Sequence, residues 1–206
     1  LSKLFDFVTY TGDDVNGRTV SHNLGVAPEM MIIKNRDAAS TSWRVYVSAL
    51  GEGKVLNLND NSAVGNNVYY LNNTAPTSTL ITLGQDDSTN GGYHQSYDYI
   101  AYLFASVPGI SKLGTFNTGG SDSATVDLGF EPQWLMVKPT SGTGNWEIYD
   151  TLRGWGVTGH NFLKSNDASV EGVNTTALNF YPTSTGFGTN SYWGANVDLI
   201  YMAIAK

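Results

Sequence analysis

The sequence predicts an all-β chain: two tandem β-sandwich domains of jelly-roll-like form, related by an internal repeat. Three observations predict it. Short alternating apolar segments follow one another at turn-punctuated intervals, an ordered set of motifs occurs twice, and no segment carries a helical period. Composition agrees, because hydrophobic residues make up 41% of the 206 residues and aromatics 12%, whereas only 14% are charged. Asn, Thr, Ser and 23 Gly carry the polarity instead, which suits strands and tight turns better than exposed helices.

The repeat is clearest in Leu24-Gly25-Val26-Ala27-Pro28-Glu29-Met30-Met31-Ile32-Ile33-Lys34, which returns as Leu128-Gly129-Phe130-Glu131-Pro132-Gln133-Trp134-Leu135-Met136-Val137-Lys138 at an offset of 104. Trp43-Arg44-Val45-Tyr46 returns as Trp146-Glu147-Ile148-Tyr149 at 103, and Pro76-Thr77-Ser78-Thr79 as Pro182-Thr183-Ser184-Thr185 at 106. The closing segments, Asp98 to Ala105 and Asp198 to Ala205, correspond at 100. Such drift reflects loop insertions of a few residues. The break falls in Val107-Pro108-Gly109-Ile110-Ser111-Lys112, giving domains 1–108 and 109–206.

Within the first copy, Phe7 to Tyr10 and Arg18 to His22 read as a hairpin across Thr11-Gly12-Asp13-Asp14. Glu29 to Lys34 is a nearly continuous apolar run, which predicts a central strand. Trp43 to Val47 alternates, and Val55 to Leu58, Val68 to Leu71 and Ser78 to Leu83 follow as shorter strands before the closing one. That makes seven or eight strands per copy. The recurring Gly25 and Gly129 suit turns of positive φ, and the recurring Trp and Tyr of the third block suit the core.

Charge and cysteine content exclude several function classes. A net charge of −7 lacks the basic footprint of a nucleic-acid binder and disfavours anionic membrane. No apolar run approaches the roughly 20 residues of a spanning helix, so no membrane insertion by a helix is expected. With no cysteine there is no thiolate metal site or cysteine nucleophile. The chain opens on Leu1-Ser2-Lys3 without an initiator Met or signal-like segment, which reads as a piece of something longer.

A search for catalytic and cofactor motifs returns none of the familiar spacings. His22, His94 and His160 are scattered and occupy no matching positions in the two copies. Nucleophile-elbow and phosphate-loop patterns are absent, so no cofactor is expected. The carboxylates a glycosidase would draw on, Glu29, Glu131 and Glu147, are weakly placed for it. The acidic loops at Asp13-Asp14 and Asp86-Asp87 lack the twelve-residue calcium pattern and suit hairpin turns.

The polar–aromatic loops ahead of each closing strand carry more. Tyr93, His94 and Tyr97 lie in the first, and Tyr192, Trp193 and Asn196 in the second. Trp155 sits in a similar Gly-rich loop, Arg153 to His160. Aromatic faces stack on sugars while amides and carboxylates bond hydroxyls, so these seven residues are the candidate glycan or partner contacts. Packing against a neighbouring domain or subunit is the competing reading.

The Leu-Gly-Val-x-Pro-x-Met-Met-Ile-Ile-Lys block, preceded by Tyr10-Thr11-Gly12 and Arg18 to Asn23, resembles a repeated domain of bacteriophage tail and other virion proteins, especially of marine and cyanobacterial phages. The Leu71 to Thr79 segment and the Ala101 to Gly109 ending resemble it as well. The resemblance implies a virion location, in a tail, fibre or capsid-surface appendage, and brings no catalytic residues. The expected function is therefore a non-enzymatic structural or adhesion module. Its expected partners are other virion proteins, its own copies as a homotrimer, and a host-surface polysaccharide. Two alternatives stand beside it: a polysaccharide-degrading enzyme on a sandwich scaffold, and a purely architectural oligomerisation domain.

Overall fold

A computed structural model describes residues 3–91, 96–157, 160–173, 180–190 and 192–206. The chain divides into two compact units, residues 1–59 with 64–106, and residues 107–206 with 60–63. Both are antiparallel β-structures, and the described residues contain two short 3-10 turns and no α-helix.

The first unit contains β1 (Phe5–Thr11), β2 (Arg18–Ser21), β3 (Met30–Asn35), β4 (Arg44–Val47), β5 (Lys54–Asn57), β6 (Gly65–Asn66), β7 (Leu80–Leu83) and β8 (Asp98–Phe104). Six of these form one sheet in the order β1-β8-β3-β4-β5-β6, and β2 pairs with β7 in a separate ribbon. Period-two alternation decides what the sheet buries: Tyr99, Ala101 and Leu103 of β8 join Met31 and Ile33 of β3 and Tyr46 of β4 in one core. Val20 of β2, with Ile81 and Leu83 of β7, closes that core from the ribbon side. Two sheets therefore enclose one apolar layer, the defining feature of a sandwich. Each aliphatic side chain fully buried there contributes about 1.5–3 kcal/mol.

Two expectations about this unit need correcting. The segments at Phe7 to Tyr10 and Arg18 to His22 do not form a hairpin: β1 pairs with β8, whereas β2 pairs with β7. The connection passes through positive φ at Asp14 and Gly17, and Gly12 and Asp14 donate their amides to the carbonyls of Tyr97 and Asn90, which ties the linker down as the chain changes sheets. Val68 to Leu71 is not a strand either. It is a turn, with Asn72 and Asn73 both at positive φ, and it buries Tyr70 and Leu71 while leaving Val68 and Tyr69 exposed. The run from Glu29 does give the central strand the pattern predicts, flanked by β8 and β4.

The second unit contains β9 (Ser111–Asn117), β10 (Ser123–Asp127), β11 (Pro132–Pro139), β12 (Glu147–Asp150), β13 (Asn161–Lys164), β14 (Gly172–Val173), β15 (Phe180–Thr183), β16 (Gly186–Asn190) and β17 (Asp198–Ala205). Its six-stranded sheet runs β14-β13-β12-β11-β17-β9, and its second sheet runs β10-β16-β15. Taken from the opposite edge, the larger sheet has the strand order of its counterpart: first, last, third, fourth, fifth, sixth. Its core is more aromatic, joining Tyr149, Trp155, Phe162, Phe180, Phe187 and Tyr201.

The residues that recur in the sequence do matching structural work. Gly25 and Gly129 have φ of 78° and 80°, the left-handed region that a side chain would strain. Lys34 donates its ammonium to the carbonyls of Ala38 and Thr41, and Lys138 donates to that of Pro139. Lys34 thus satisfies carbonyls in the connection that follows its strand, and Lys138 the last carbonyl of its own strand. Burial draws the Lys138 ammonium down to about 8.

Candidate functional site

The fourth strand of each unit begins with a charged residue on the face that leads into the core: Arg44 on β4 and Glu147 on β12. Two residues further along, Tyr46 and Tyr149 point the same way and are buried. Cross-strand neighbours complete the contrast, since Arg44 faces Asn57 of β5 and Glu147 faces Lys164 of β13. These matching positions are equipped for opposite outcomes.

At Glu147 the site is closed. Its carboxylate is buried and accepts hydrogen bonds from the phenols of Tyr149 and Tyr192, the latter at 2.8 Å. Burial raises its pKa, and the two phenol bonds and the nearby Lys164 charge oppose that rise. The same burial pushes both phenols upward, reinforced by the carboxylate. Trp155 and His160 pack on the Tyr149 ring at centroid separations of 6.2 and 5.7 Å.

At Arg44 the site is open. Its Nη1 donates to Asn57 Oδ1 at 2.8 Å and its Nη2 to Asp86 Oδ2 at 3.4 Å, while Nε is buried without a partner. A surface hollow lies beside it, also lined by Asn67, Tyr69, Gln85 and Asp86. The sequence reading missed this hollow because Arg44, Asn67 and Asp86 stand far apart along the chain. Asp86 drew attention only as a turn acid, and Tyr69 only as part of a strand that does not form.

The predicted contact residues fare unequally. Trp155 is only 4% exposed and donates its indole N–H to the carbonyl of Phe180, so it is a core residue and its faces are not offered to a ligand. Tyr192 is 40% exposed, but its hydroxyl is committed to Glu147. Trp193 is half-buried against the second core and meets Tyr192 edge-on at 5.0 Å. Asn196 is exposed, with positive φ, and its amide donates to the Gly119 carbonyl. Tyr192, Trp193 and Asn196 thus share one loop, of which Tyr192 and Asn196 reach solvent. Tyr97 is half-buried against the first core. Tyr93 and His94 lie outside the described residues.

Other charged groups are used locally. Glu29 accepts from the amide and hydroxyl of Ser106, and Arg153 pairs with Asp150 and Glu171. Among the described residues, no group of three or more His, Asp or Glu side chains is arranged to hold a metal ion. A larger, mostly apolar groove on the second unit lies between Trp134, Ile148, Leu163 and Ile204, rimmed by Leu152 and Arg153.

A model of a protein family matches residues 2–206, which spans both units. The chain belongs to that family. It is described as a domain of unknown function, DUF7483. No curated protein and no solved structure matches the chain. The DUF7483 match takes in the Arg44 and Glu147 positions alike.

Proposed function

We propose that this chain is a non-enzymatic structural and adhesion module of a bacteriophage virion, carried on a tail, fibre or capsid-surface appendage, and that it binds a host-surface polysaccharide. One observation carries the reading: two units whose larger sheets share one strand order are furnished differently at matching positions, one closed over Glu147 and one open beside Arg44. A shared frame with divergent ends is what a display scaffold requires, because the frame supplies stability and the differing ends supply recognition. The sequence resemblance to virion domains supplies the setting. Low charge and a surface rich in Asn, Thr and Ser suit contact with hydroxyl-rich polymers.

In this reading the other partners are virion proteins or further copies of the chain, assembled as a homotrimer. The purified chain is expected to bind host cells and their extracted envelope polysaccharide, read by cell pull-down and biolayer interferometry. Sedimentation is expected to give a trimer. Failure to bind cells, polysaccharide and virion proteins alike would sink the proposal.

A further inference from the structure

We infer that the hollow at the Arg44 end of the first unit is a subsite for one neutral sugar residue, with the Tyr69 ring as its stacking face. The inference rests on the adhesion reading above and gives it a location and a ligand class.

Size comes first. The hollow measures about 370 Å³, near the lower end of the roughly 300–1,000 Å³ range of small-molecule sites. It accommodates a single pyranose ring. Tyr69 is 64% exposed at its edge, so an aromatic face is available to the C–H side of such a ring.

Hydrogen-bonding capacity surrounds that face. A guanidinium has five N–H donors, and the protein engages Arg44 through Asn57 and Asp86. Gln85 spends its amide N–H on the Asp14 carbonyl, and a Gln amide also has an oxygen that accepts. Asp87 adds an exposed carboxylate. Vicinal hydroxyls need this mixture, because each donates once and accepts from another group. One Arg beside two Asp leaves an excess of negative charge, which repels uronates, sialates and phosphates. Neutral sugars carry no such cost.

The lining is also held in place before any ligand arrives. Asp86 accepts from the Ser88 amide at 2.8 Å and from the Asn67 side chain at 2.6 Å. Its backbone carbonyl accepts from the amides of Thr89 and Asn90. Asn67 in turn accepts from the Tyr69 amide at 2.9 Å, which sets the turn bearing the ring. Behind it, a Cβ on Gly84 would fall 1.8 Å from the Tyr69 carbonyl oxygen, so glycine alone permits that approach. Little conformational entropy remains to be lost at Asp86 and Asn67 on binding.

The test is titration calorimetry of the intact chain with neutral gluco-, manno- and galacto-oligosaccharides, with an oligogalacturonate as the acidic comparator. Wild type is expected to bind at least one neutral oligosaccharide and not the acidic one. Tyr69→Ala should weaken that binding by roughly tenfold, Tyr69→Phe should leave it nearly intact, and Asp87→Asn should weaken it severalfold. Both positions are exposed, and circular dichroism verifies that the variants fold. Binding that Tyr69→Ala leaves unchanged would overturn the subsite while the adhesion reading stands. Binding confined to the oligogalacturonate would overturn it as well. If these sugars and the host polysaccharide all fail to bind, the subsite and the glycan part of the adhesion reading fall together.

Discussion

The two units solve one geometric problem in opposite ways. Each must start its fourth strand where the core meets solvent, with a charged residue on the face that leads inward. The second unit buries Glu147 under two phenols and packs Trp155 and His160 on the Tyr149 ring. The first leaves Arg44 partly exposed, held by Asn57 and Asp86 beside an open hollow. The difference follows from side-chain chemistry. A carboxylate has only acceptors, so two hydroxyl donors can satisfy it in a small dry space, whereas a guanidinium has five donors in a wide fork and is harder to enclose. A shared frame can thus yield a sealed end or a receptive one through the residue at a single strand position.

The largest expected effect breaks the sealed end. Trp155→Ala removes a buried indole and the hydrogen bond to the Phe180 carbonyl, and should cost about 3–5 kcal/mol. The two units have separate cores, so the loss should register unevenly. Hydrogen exchange is expected to quicken in β11, β12 and β17 while β3, β4 and β8 keep their protection. Equal loss in both units would show that the cores behave as one. A smaller change tests the seal directly. Tyr192→Phe deletes the donor to one Glu147 oxygen and should cost about 1–3 kcal/mol by denaturant titration, whereas Tyr69→Phe at the open end should cost nothing measurable.

The frame was legible in the sequence and the ends were not. Alternation in β8, the apolar run of β3 and the paired glycines at 25 and 129 are local signals, each set by a few neighbouring residues. The pairing of β1 with β8 and of β2 with β7 is not local, and the predicted hairpin failed because proximity along the chain stood in for it. The hollow beside Arg44 depends on the start of β4 meeting two connecting segments, and nothing in the spacing of Arg44, Asn67 and Asp86 marks them as neighbours. Trp155 shows the opposite error. A Gly-rich loop suggested an exposed indole, but positive φ at Gly154 and Gly156 turns the chain sharply on either side of it, and the ring lies in the core.

The subtlest prediction concerns the pH at which the seal is strongest. Burial raises the Glu147 pKa in the folded chain above its unfolded value. A carboxyl raised in this way favours folding through its protonated form: that contribution is complete below the unfolded pKa and is lost as pH rises through the folded one. At neutral pH, above the unfolded value, part of that contribution is already gone, and the shortfall is the cost of burying an ionisable carboxyl. Glu147→Gln keeps the shape, an acceptor for one phenol and a donor to the other, and never ionises. The variant should therefore melt a few degrees higher than wild type at pH 7, with the difference shrinking as pH falls toward the ordinary carboxylate range. Scanning calorimetry across that range reads it. A Gln variant that loses ground to wild type as pH rises would mean that the phenols and Lys164 stabilise the ionised carboxylate by more than burial costs, and the closed end would then be an ion site.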